Sequence, residues 1–544
     1  MPELVTVRAY HQRSKHSLQA YAAGPQTLDW DNQPDPWRLY AGAPLLQLPL
    51  PAHALATSWA ELHRPGSVPA QPLDLSGLAT LLQLSLGLSA WKQQGPDRWA
   101  VRCNPSSGNL HPTEAYVIAQ GLGGLDDGLY HYAPRQHALE RRASLTGAAA
   151  LGSEAGPALW LGLSSIHWRE AWKYGERAFR YCQLDLGHAL GGLRYAAAAL
   201  GWQLLPVSGL DAAALARALG LDRAGDFGTA EAEEPECLLQ LRPLCADAQQ
   251  ALALRAPPAQ GWSDWAGQAN RLDRWPMYRW PVIDEVAQAT RRGLARPRVG
   301  EPAAPAGLAA GEPAAPSPRA ADLIRQRRSA QRFDRRASMS AATLAQLVAA
   351  LQPDAGLPWD AWPWPAQVHA VFFVHRVDGF TPGAYVLPRG DGAQARLAAA
   401  LSPALLWQPV AGTPLLRLAD NPALAGTLRT LCCHQALAAD ANLAVAMLGE
   451  FDAALAGAGP AGYRHLLQEA GLLGQVLYLQ AEAAGHRGTG IGCFFDDALH
   501  ELLGITGTTL QSLYHFTVGS AVADSRIGDE PPYPADRLTP EPRP

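Results

Sequence analysis

Two stretches of the chain, residues 176–202 and 463–485, are apolar and carry little charge on any side. A helix of that kind is buried all round, so both stretches predict long central helices. The leucine spacing over residues 75–91 predicts a further, amphipathic helix. Residues 115–119 and 127–134 read as strands, the second of them part of a hairpin. The chain is therefore expected to combine a sheet with buried helices.

The pattern of the first half returns in the second half. Four matches share one offset of 284 residues without a gap, namely Gly187 with Gly471, Leu193 with Leu477, Gly201 with Gly485, and Leu219-Gly220 with Leu503-Gly504. Further upstream, Gly128-Leu129-Tyr130 recurs as Gly383-Ala384-Tyr385 at an offset of 255 residues. We interpret these matches as a divergent internal duplication that produced two copies of one domain.

The segment between the copies, residues 293–320, is dense in alanine, glycine and proline. Its six prolines disfavour regular helix and sheet, so this segment predicts a linker. The predicted domains are residues 1–292 and residues 321–544. A chain of 544 residues is also too long for a single core of usual size, which agrees with two domains.

The two copies differ at the places where ligand-binding segments are expected. The second copy has a glycine-rich loop at residues 488–492, where the first copy has Pro206 and Ser208 opposite the last two glycines. Glycine lets the backbone lie close against a planar ligand. The first copy has a hydroxyl-rich turn at residues 105–109, opposite the tryptophan-rich residues 360–364. That turn is either a ligand-binding loop or an ordinary entry into a strand.

A basic run opens the second copy, with four arginines and a serine between Arg325 and Arg332. Arginine pairs with phosphate oxygens in a bidentate manner, so the run is a candidate anion site. The alternative is a solvated basic helix end, and the residues alone leave both readings open.

The overall composition narrows the class of protein. Hydrophobic residues make up 48% of the chain, charged residues 17%, and the net charge is -5, which gives no reason to expect nucleic acid or an anionic membrane as partner. The seven cysteines show no CxxC and no spacing with histidine that suits zinc, and the odd count fits a reducing compartment. The N-terminus lacks the pattern of a secretion signal, and no apolar run approaches the roughly 20 residues of a membrane span. A cytoplasmic protein without a bound metal is expected.

The Pro-Ser-Ser turn at residues 105–107, the Arg-Arg-Ser run at residues 327–329 and the Lys-Tyr-Gly segment at residues 173–175 together resemble the nitroreductase superfamily, in particular the SagB-type (azoline) dehydrogenase branch. The resemblance covers nearly the whole chain. It implies an α+β fold of tandem nitroreductase-like domains, each a mixed, mainly antiparallel sheet with flanking helices. The two domains are expected to pack through their long helices as an intrachain pseudo-dimer.

The same resemblance implies an FMN site between the two domains, and only one complete site can be assembled from this chain. The cofactor-binding residues that it implies are Arg102, Pro105, Ser106, Ser107 and Asn109 from the first copy, and Arg327, Arg328, Ser329, Arg332, Gly490, Ile491 and Gly492 from the second. One FMN per chain is therefore expected. The last arginine of the run comes one position later than in the family motif, so the choice between Gln331 and Arg332 stays open.

Lys173 and Tyr174 are the catalytic candidates that the resemblance implies. An ammonium next to a phenol favours the phenolate, so Tyr174 is expected to remove a proton while hydride passes to flavin N5. The plain alternative is a helix start with Lys173 in solvent and Tyr174 packed on Trp172. At the offset of 284 the pair falls opposite Gly457 and Ala458, so it exists once in the chain.

The function implied is that of an FMN-dependent SagB-type dehydrogenase, which oxidises a C–N or C–C bond in a peptide-like or heterocyclic substrate. One alternative is an NAD(P)H-dependent reductase of nitro, quinone or enone compounds. Another is a non-catalytic scaffold subunit of a modification complex. The expected partners are a small-molecule or peptide substrate and a peptide-modifying complex. The residues name neither the substrate nor the direction of electron flow, and they do not decide the oligomeric state.

Overall fold

The computed structural model describes residues 2–146, 156–244, 255–258, 260–291, 317–354 and 356–534. Most of the predicted linker, residues 293–316, lies outside these residues. Its last residues, 317–320, are described, and a helix begins at Ala320.

The first half contributes a sheet covered by helices. Its helices are α1 (Pro2–Arg13), α2 (Trp59–Leu62), α3 (Leu75–Ser85), α4 (His167–Tyr174), α5 (Ala178–Ala199), α6 (Ala212–Leu219), α7 (Ala224–Phe227) and α8 (Pro281–Ala289). Its strands are β1 (Tyr40–Ala41), β2 (Leu45–Gln47), β3 (Leu88–Gln94), β4 (Asp97–Arg102), β5 (Thr113–Gln120), β6 (Gly128–Ala133), β7 (Ala138–Leu145), β8 (Ala158–Ser165), β9 (Trp202–Pro206), β10 (Glu234–Pro243), β11 (Trp262–Ser263) and β12 (Gln268–Ala269).

The second half repeats this arrangement. Its helices are α9 (Ala320–Gln326), α10 (Ala341–Ala350), α11 (Ala393–Ala400), α12 (Leu424–Leu431), α13 (Leu437–Asp440), α14 (Phe451–Ala458), α15 (Gly462–Ala483) and α16 (Asp496–Leu503). Its strands are β13 (Val368–Val374), β14 (Gly383–Leu387), β15 (Gln408–Pro409), β16 (Leu416–Asp420), β17 (Leu443–Glu450), β18 (Arg487–Ile491) and β19 (Leu510–Gly519), followed by β20 (Gly528–Glu530).

The duplication is visible element by element. Helices α4, α5 and α6 begin and end 284 residues before α14, α15 and α16. The sheets share one strand order, β6-β5-β8-β10-β9 in the first half and β14-β13-β17-β19-β18 in the second, and these neighbouring strands pair antiparallel. The predicted α+β fold with tandem domains is therefore confirmed.

The long helices α5 and α15 pack directly against each other at the centre of the molecule. A Cβ atom at Gly187 would overlap the carbonyl oxygen of Gln468, and one at Gly471 would overlap that of Leu184. The two backbones can approach this closely only because both positions are glycine. Although each helix has 22 residues, no helix in the described ranges combines the length and apolar character needed to cross a membrane.

Elements at the chain ends and near its middle pack on the opposite half. Val7 and Tyr10 of α1 lie in the core that contains Phe451 of the second half. Ile324 of α9 lies in the core that contains Leu78 of the first half. Strand β20 pairs with β3. These two cores therefore contain residues from both halves.

Two predicted elements differ in detail from those observed. The helix predicted over residues 75–91 ends at Ser85, because the Gly87 N–H donates to the Leu82 carbonyl and β3 then pairs with β4. The glycine-rich loop predicted at residues 488–492 is mostly strand β18, which pairs with β19 at the edge of the sheet. Glycines in an edge strand let neighbouring side chains lie across its backbone.

Candidate functional site

A cavity of about 270 Å³ lies where the two halves meet. The first half lines it with Pro105, Ser106, Ser107, Gly108, Tyr174, Tyr181, Asp185 and His188, and the second half with Ser329, Gln435, Tyr478, Thr489, Gly490, Ile491, Gly492, Cys493 and Tyr514. Its volume is near the lower end of the roughly 300–1,000 Å³ of small-ligand pockets. The hydroxyl-rich turn and the glycine-rich segment, predicted from different copies, thus face one space.

The hydroxyl-rich turn is held by a carboxylate on α5. The Ser106 Oγ–H donates to Asp185 Oδ2 over 2.6 Å, and both the N–H and the hydroxyl of Ser107 donate to Oδ1, over 3.0 Å and 2.9 Å. Gly108 follows with φ of +59°, a conformation that L side chains rarely adopt. Asp185 therefore fixes the shape of the turn from a residue that sequence reasoning did not single out.

Burial controls the protonation of this carboxyl group. It raises the pKa of Asp185 to about 7, against the lowering effect of the hydrogen bonds from Ser106 and Ser107. The neighbouring Glu170 is also fully buried, and burial together with the charge of Asp185 raises its pKa well above the usual range. The cavity wall therefore contains a carboxyl group that can gain or lose a proton near neutral pH.

This raised pKa predicts a pH-dependent stability. The unfolded chain releases the Asp185 proton near pH 3.9, about the ordinary aspartate pKa, whereas the folded chain keeps it until about pH 7. The contribution of Asp185 to stability is thus full below pH ~4 and is lost as pH rises to about 7. Relative to Asp185→Asn, the wild-type free energy of unfolding should fall across that window in denaturant titrations. A flat difference between the two chains would contradict it.

The opposite wall is the glycine-rich strand with tyrosines lying across it. A Cβ atom at Gly490 would overlap the hydroxyl of Tyr514, and one at Gly492 would overlap the ring of Tyr181. These side chains also line the cavity. The wall is therefore flat backbone bordered by aromatic rings, a shape that suits a planar ligand.

The arginine run reaches the cavity through Ser329, and neither Arg327 nor Arg328 is among the lining residues. The Ser329 hydroxyl lies 2.8 Å from that of Tyr478. The Arg327 Nε and Nη2 donate to the carbonyls of Cys103 and Arg102, both over 3.1 Å. Within the described residues, the buried Nη1 of Arg327 and Nε of Arg328 have no hydrogen-bond partner. Burial lowers the pKa of both arginines, so an anion placed here would stabilise two poorly solvated charges.

Gln331 and Arg332 are the two candidates for a phosphate contact at the end of the arginine run, and neither lines the cavity. Gln331 and Arg332 are both exposed. The Arg332 carbonyl accepts from the Val522 N–H over 3.0 Å, and Phe333 bridges to Ala521, so the backbone turns these side chains outward. The structure therefore places Arg332 outside the lining.

Two predicted residues of the first half, Arg102 and Asn109, make hydrogen bonds to backbone carbonyls. Arg102 is buried over the ring of Trp37, and its Nη2 donates to a backbone carbonyl over 3.0 Å. The Asn109 amide donates to the Ala100 carbonyl over 2.8 Å, and its oxygen lies 3.0 Å from His111 Nε2. Neither Arg102 nor Asn109 is among the lining residues.

Lys173 and Tyr174 lie at the end of α4, beside the turn. Tyr174 lines the cavity and its ring contacts that of Tyr181, with centroids 4.5 Å apart. Burial and the charge of Glu170 raise the pKa of Tyr174 well above its ordinary value. This direction is opposite to the phenolate expected from the adjacent ammonium, which lies 5.4 Å from the Tyr174 ring centroid. Lys173 Nζ also lies 5.5 Å from the ring centroid of Trp30.

The position that the duplication relates to the cavity contains an ion pair and a ring stack. Arg194, the counterpart of Tyr478 at the offset of 284, pairs with Asp360 over 2.7 Å. The ring of Trp364 stacks on His465 with centroids 3.9 Å apart. His465 is the counterpart of Tyr181. The segment that replaces the hydroxyl-rich turn therefore contacts α5 and α15 through Asp360 and Trp364.

Sequence reasoning missed Asp185 and three of the tyrosines of the lining, Tyr181, Tyr478 and Tyr514. A charged residue inside a long apolar helix was the available signal for Asp185, because an isolated buried carboxylate needs partners. Tyr478 and Tyr514 carried no such signal, since aromatic residues at helical or strand spacing are ordinary core residues.

Known proteins share this architecture. A crystal structure of a nitroreductase from Anabaena variabilis aligns with 95% of this chain and 99% of its own, at a TM-score of 0.67 and 23% identity, which shows a shared fold. A nitroreductase of Exiguobacterium sibiricum in complex with FMN aligns with 37% of this chain and 88% of its own, at a TM-score of 0.22 and 14% identity.

Sequence comparison supplies the family. A protein of Methanocaldococcus jannaschii named as a nitroreductase is 26% identical over 137 residues, which are 24% of this chain and, at 66%, just under two thirds of that protein. The nitroreductase family model matches residues 71–230 and 324–520, which together are more than half of the chain. The chain therefore belongs to the nitroreductase family, whose members are generally oxidoreductases.

Proposed function

We propose that this chain is an FMN-dependent oxidoreductase that holds one FMN between its two halves. The observation that supports this most is the single cavity to which one half brings the Pro-Ser-Ser turn and the other brings Ser329 and the glycine-rich strand. The family typically binds FMN. The duplicated position contains its own ion pair and ring stack, which supports one cofactor rather than two.

The residues present fit such a cofactor. Gly490 and Gly492 line the cavity, with Tyr514 and Tyr181 packed where their Cβ atoms would lie. A ring system would lie against this wall, facing Ser106 and Ser107 of the other half.

We infer that a phosphate beside Ser329 would be held by its hydroxyl and by Arg327 Nη1 and Arg328 Nε, which lie outside the lining and have no hydrogen-bond partner among the described residues. The Nη1 of Arg328 already donates to the Ser89 hydroxyl. FMN bound there would supply two-electron redox chemistry, and the protein would supply binding and orientation.

The stoichiometry of binding tests this proposal. Purified chain should be yellow or should take up added FMN, and flavin released by denaturation should amount to one per chain. A colourless chain that takes up no FMN would instead support the scaffold alternative. Two FMN per chain would contradict the proposal that only one of the two positions related by the duplication binds the cofactor.

We further propose the dehydrogenase direction, in which a C–N or C–C bond of a peptide-like or heterocyclic donor is oxidised. The support is the resemblance of the Lys173-Tyr174 segment to SagB-type dehydrogenases, together with its place beside the cavity. Anaerobic mixing with NADPH separates the directions. Slow or absent bleaching of the flavin absorbance is expected, whereas rapid bleaching would support the nitro, quinone or enone reductase.

We propose that Tyr174 is a neutral phenol that donates a hydrogen bond to the donor and orients it, since burial and the charge of Glu170 raise its pKa. The proton that the donor loses together with the hydride would be released to water. With a thiazoline-containing peptide as trial donor, Tyr174→Phe should slow flavin bleaching by about 2- to 13-fold, which corresponds to the roughly 0.5–1.5 kcal/mol of one hydrogen bond. FMN content should not change. Lys173→Met is the matched control. It should raise the donor concentration that gives half the maximal rate of bleaching, and it should leave the maximal rate closer to that of the wild type. Equal rates for Tyr174→Phe and wild type would remove Tyr174 from the mechanism.

The proposed partners follow from the proposed donor. They are a small molecule or a peptide, and for a peptide donor the other enzymes of a peptide-modifying complex. The seven cysteines without a CxxC pair support a place in the reducing cytoplasm.

A further inference from the structure

Two cysteines that the proposed flavin chemistry does not use meet in the cavity wall. Cys433 follows α12, and Cys493 follows β18 and lines the cavity. Their sulfur atoms lie 2.7 Å apart. Both residues are partly exposed rather than buried. A small side-chain rotation would bring the sulfurs to the roughly 2.05 Å of an S–S bond.

The backbone selects Cys433 over its neighbour for this contact. Cys433 has φ of +52°, in the left-handed region, so its side chain points away from that of Cys432. Cys432 is fully buried, with its sulfur 3.3 Å from His515 Nδ1. The adjacent Cys432 is therefore held on the other side of the chain, and the sequence neighbours do not pair with each other.

One guanidinium, that of Arg177, lies beside Cys493 and also pairs with Asp496. Arg177 Nη2 donates to the Gly492 carbonyl over 3.1 Å, which places its guanidinium beside the next residue. The hydrogen bond with Cys433, followed by His16 and Arg177, lowers the pKa of Cys493, against the effect of burial. A partly exposed cysteine in such surroundings is a nucleophilic thiolate.

We propose that Cys433 and Cys493 form a reversible dithiol–disulfide couple in the wall of the cavity, which exchanges two electrons with low-molecular-weight thiols and disulfides. The Cys493 thiolate attacks one sulfur of a disulfide RSSR, forming a mixed disulfide and releasing RS⁻. The Cys433 thiol gives up its proton and attacks the Cys493 sulfur, releasing the second RS⁻. The two cysteines are oxidised and RSSR is reduced, and excess thiol reverses both steps.

This exchange needs no flavin, so its test stands apart from the proposed function. The full chain is equilibrated in glutathione buffers from fully reduced to fully oxidised, and its free thiols are then blocked with excess iodoacetamide in denaturant at mildly alkaline pH, where they are thiolates. Peptide mapping should find a Cys433–Cys493 link that forms in oxidised buffer and disappears when reduced glutathione is restored. Absence of the link in fully oxidised buffer would overturn the proposal.

Serine variants assign the partners. Cys432→Ser should retain the link, because its sulfur lies against His515, whereas Cys433→Ser and Cys493→Ser should lose it. A link that persists in Cys433→Ser would assign the bond to Cys432 and overturn the proposed pair. Iodoacetamide labelling of the reduced wild type below neutral pH is an independent readout. Cys493 should react at least about tenfold faster than the buried cysteines, since only a thiolate reacts, and an equal rate would also contradict the proposal.

Discussion

Asp185→Ala is expected to weaken FMN binding by about 10- to 150-fold, the largest effect of any single side chain in the site. Three hydrogen bonds from Ser106 and Ser107 end on this carboxyl group, and all of them disappear with it. Above about pH 7, where Asp185 is ionised, a hydrogen bond to it is worth about 1.5–3 kcal/mol, so the loss of one already gives that range. Titration of flavin fluorescence against the chain without bound cofactor measures the effect.

Two variants serve as controls for Asp185→Ala. Asp185→Asn keeps an acceptor for the Ser107 N–H and should lose much less affinity. Asp360→Ala removes the ion pair with Arg194 at the duplicated position, and it should leave FMN affinity unchanged. If Asp185→Ala binds FMN as tightly as the wild type while remaining folded, the turn does not contribute to the site.

Gly471→Ala is the second variant with a large expected effect, on stability. Its Cβ would overlap the carbonyl oxygen of Leu184, a backbone atom that cannot rotate away, so α5 and α15 must separate. Overpacking of a close contact costs about 1–3 kcal/mol, and here it also widens the joint that forms the cavity. Denaturant unfolding should show a lower midpoint, and FMN affinity should fall with it.

Gly457→Ala is the matched control for this helix crossing. Gly457 lies in α14, where a Cβ would meet no atom within 4 Å. Replacing a helical glycine with alanine in open space should stabilise the chain by about 0.5–1 kcal/mol. A Gly471→Ala chain as stable as the wild type would show that the close approach of α5 and α15 is not required.

The repeat could be predicted from sequence because matching helices have equal lengths. A single offset of 284 residues brings α4, α5 and α6 onto α14, α15 and α16, so a few matched glycines and leucines sufficed. The segment 488–492 was predicted as a loop because glycine disfavours strands. Pairing with β19 outweighs that local preference, as tertiary contacts commonly do in sheets.

The role of Asp185, the pKa of Tyr174 and the packing of α1 and α9 depend on contacts in the folded chain that the sequence does not reveal. Asp185 meets Ser107 across 78 positions of the chain, and nothing in the sequence marks that meeting. The pKa of Tyr174 depends on burial beside Glu170 and Tyr181, which adjacency to Lys173 does not reveal. Packing of α1 and α9 on the opposite halves likewise requires the three-dimensional structure.

A crystal structure of the chain grown with excess FMN tests the central claim most directly. The account predicts one flavin per chain, with its ring between Ser106 and Gly490 and its phosphate near Ser329 and Arg327. The space around Trp364 and His465 should contain no flavin. Flavin at both positions, or a flavin bound by one half alone, would contradict a single site built from two complementary halves.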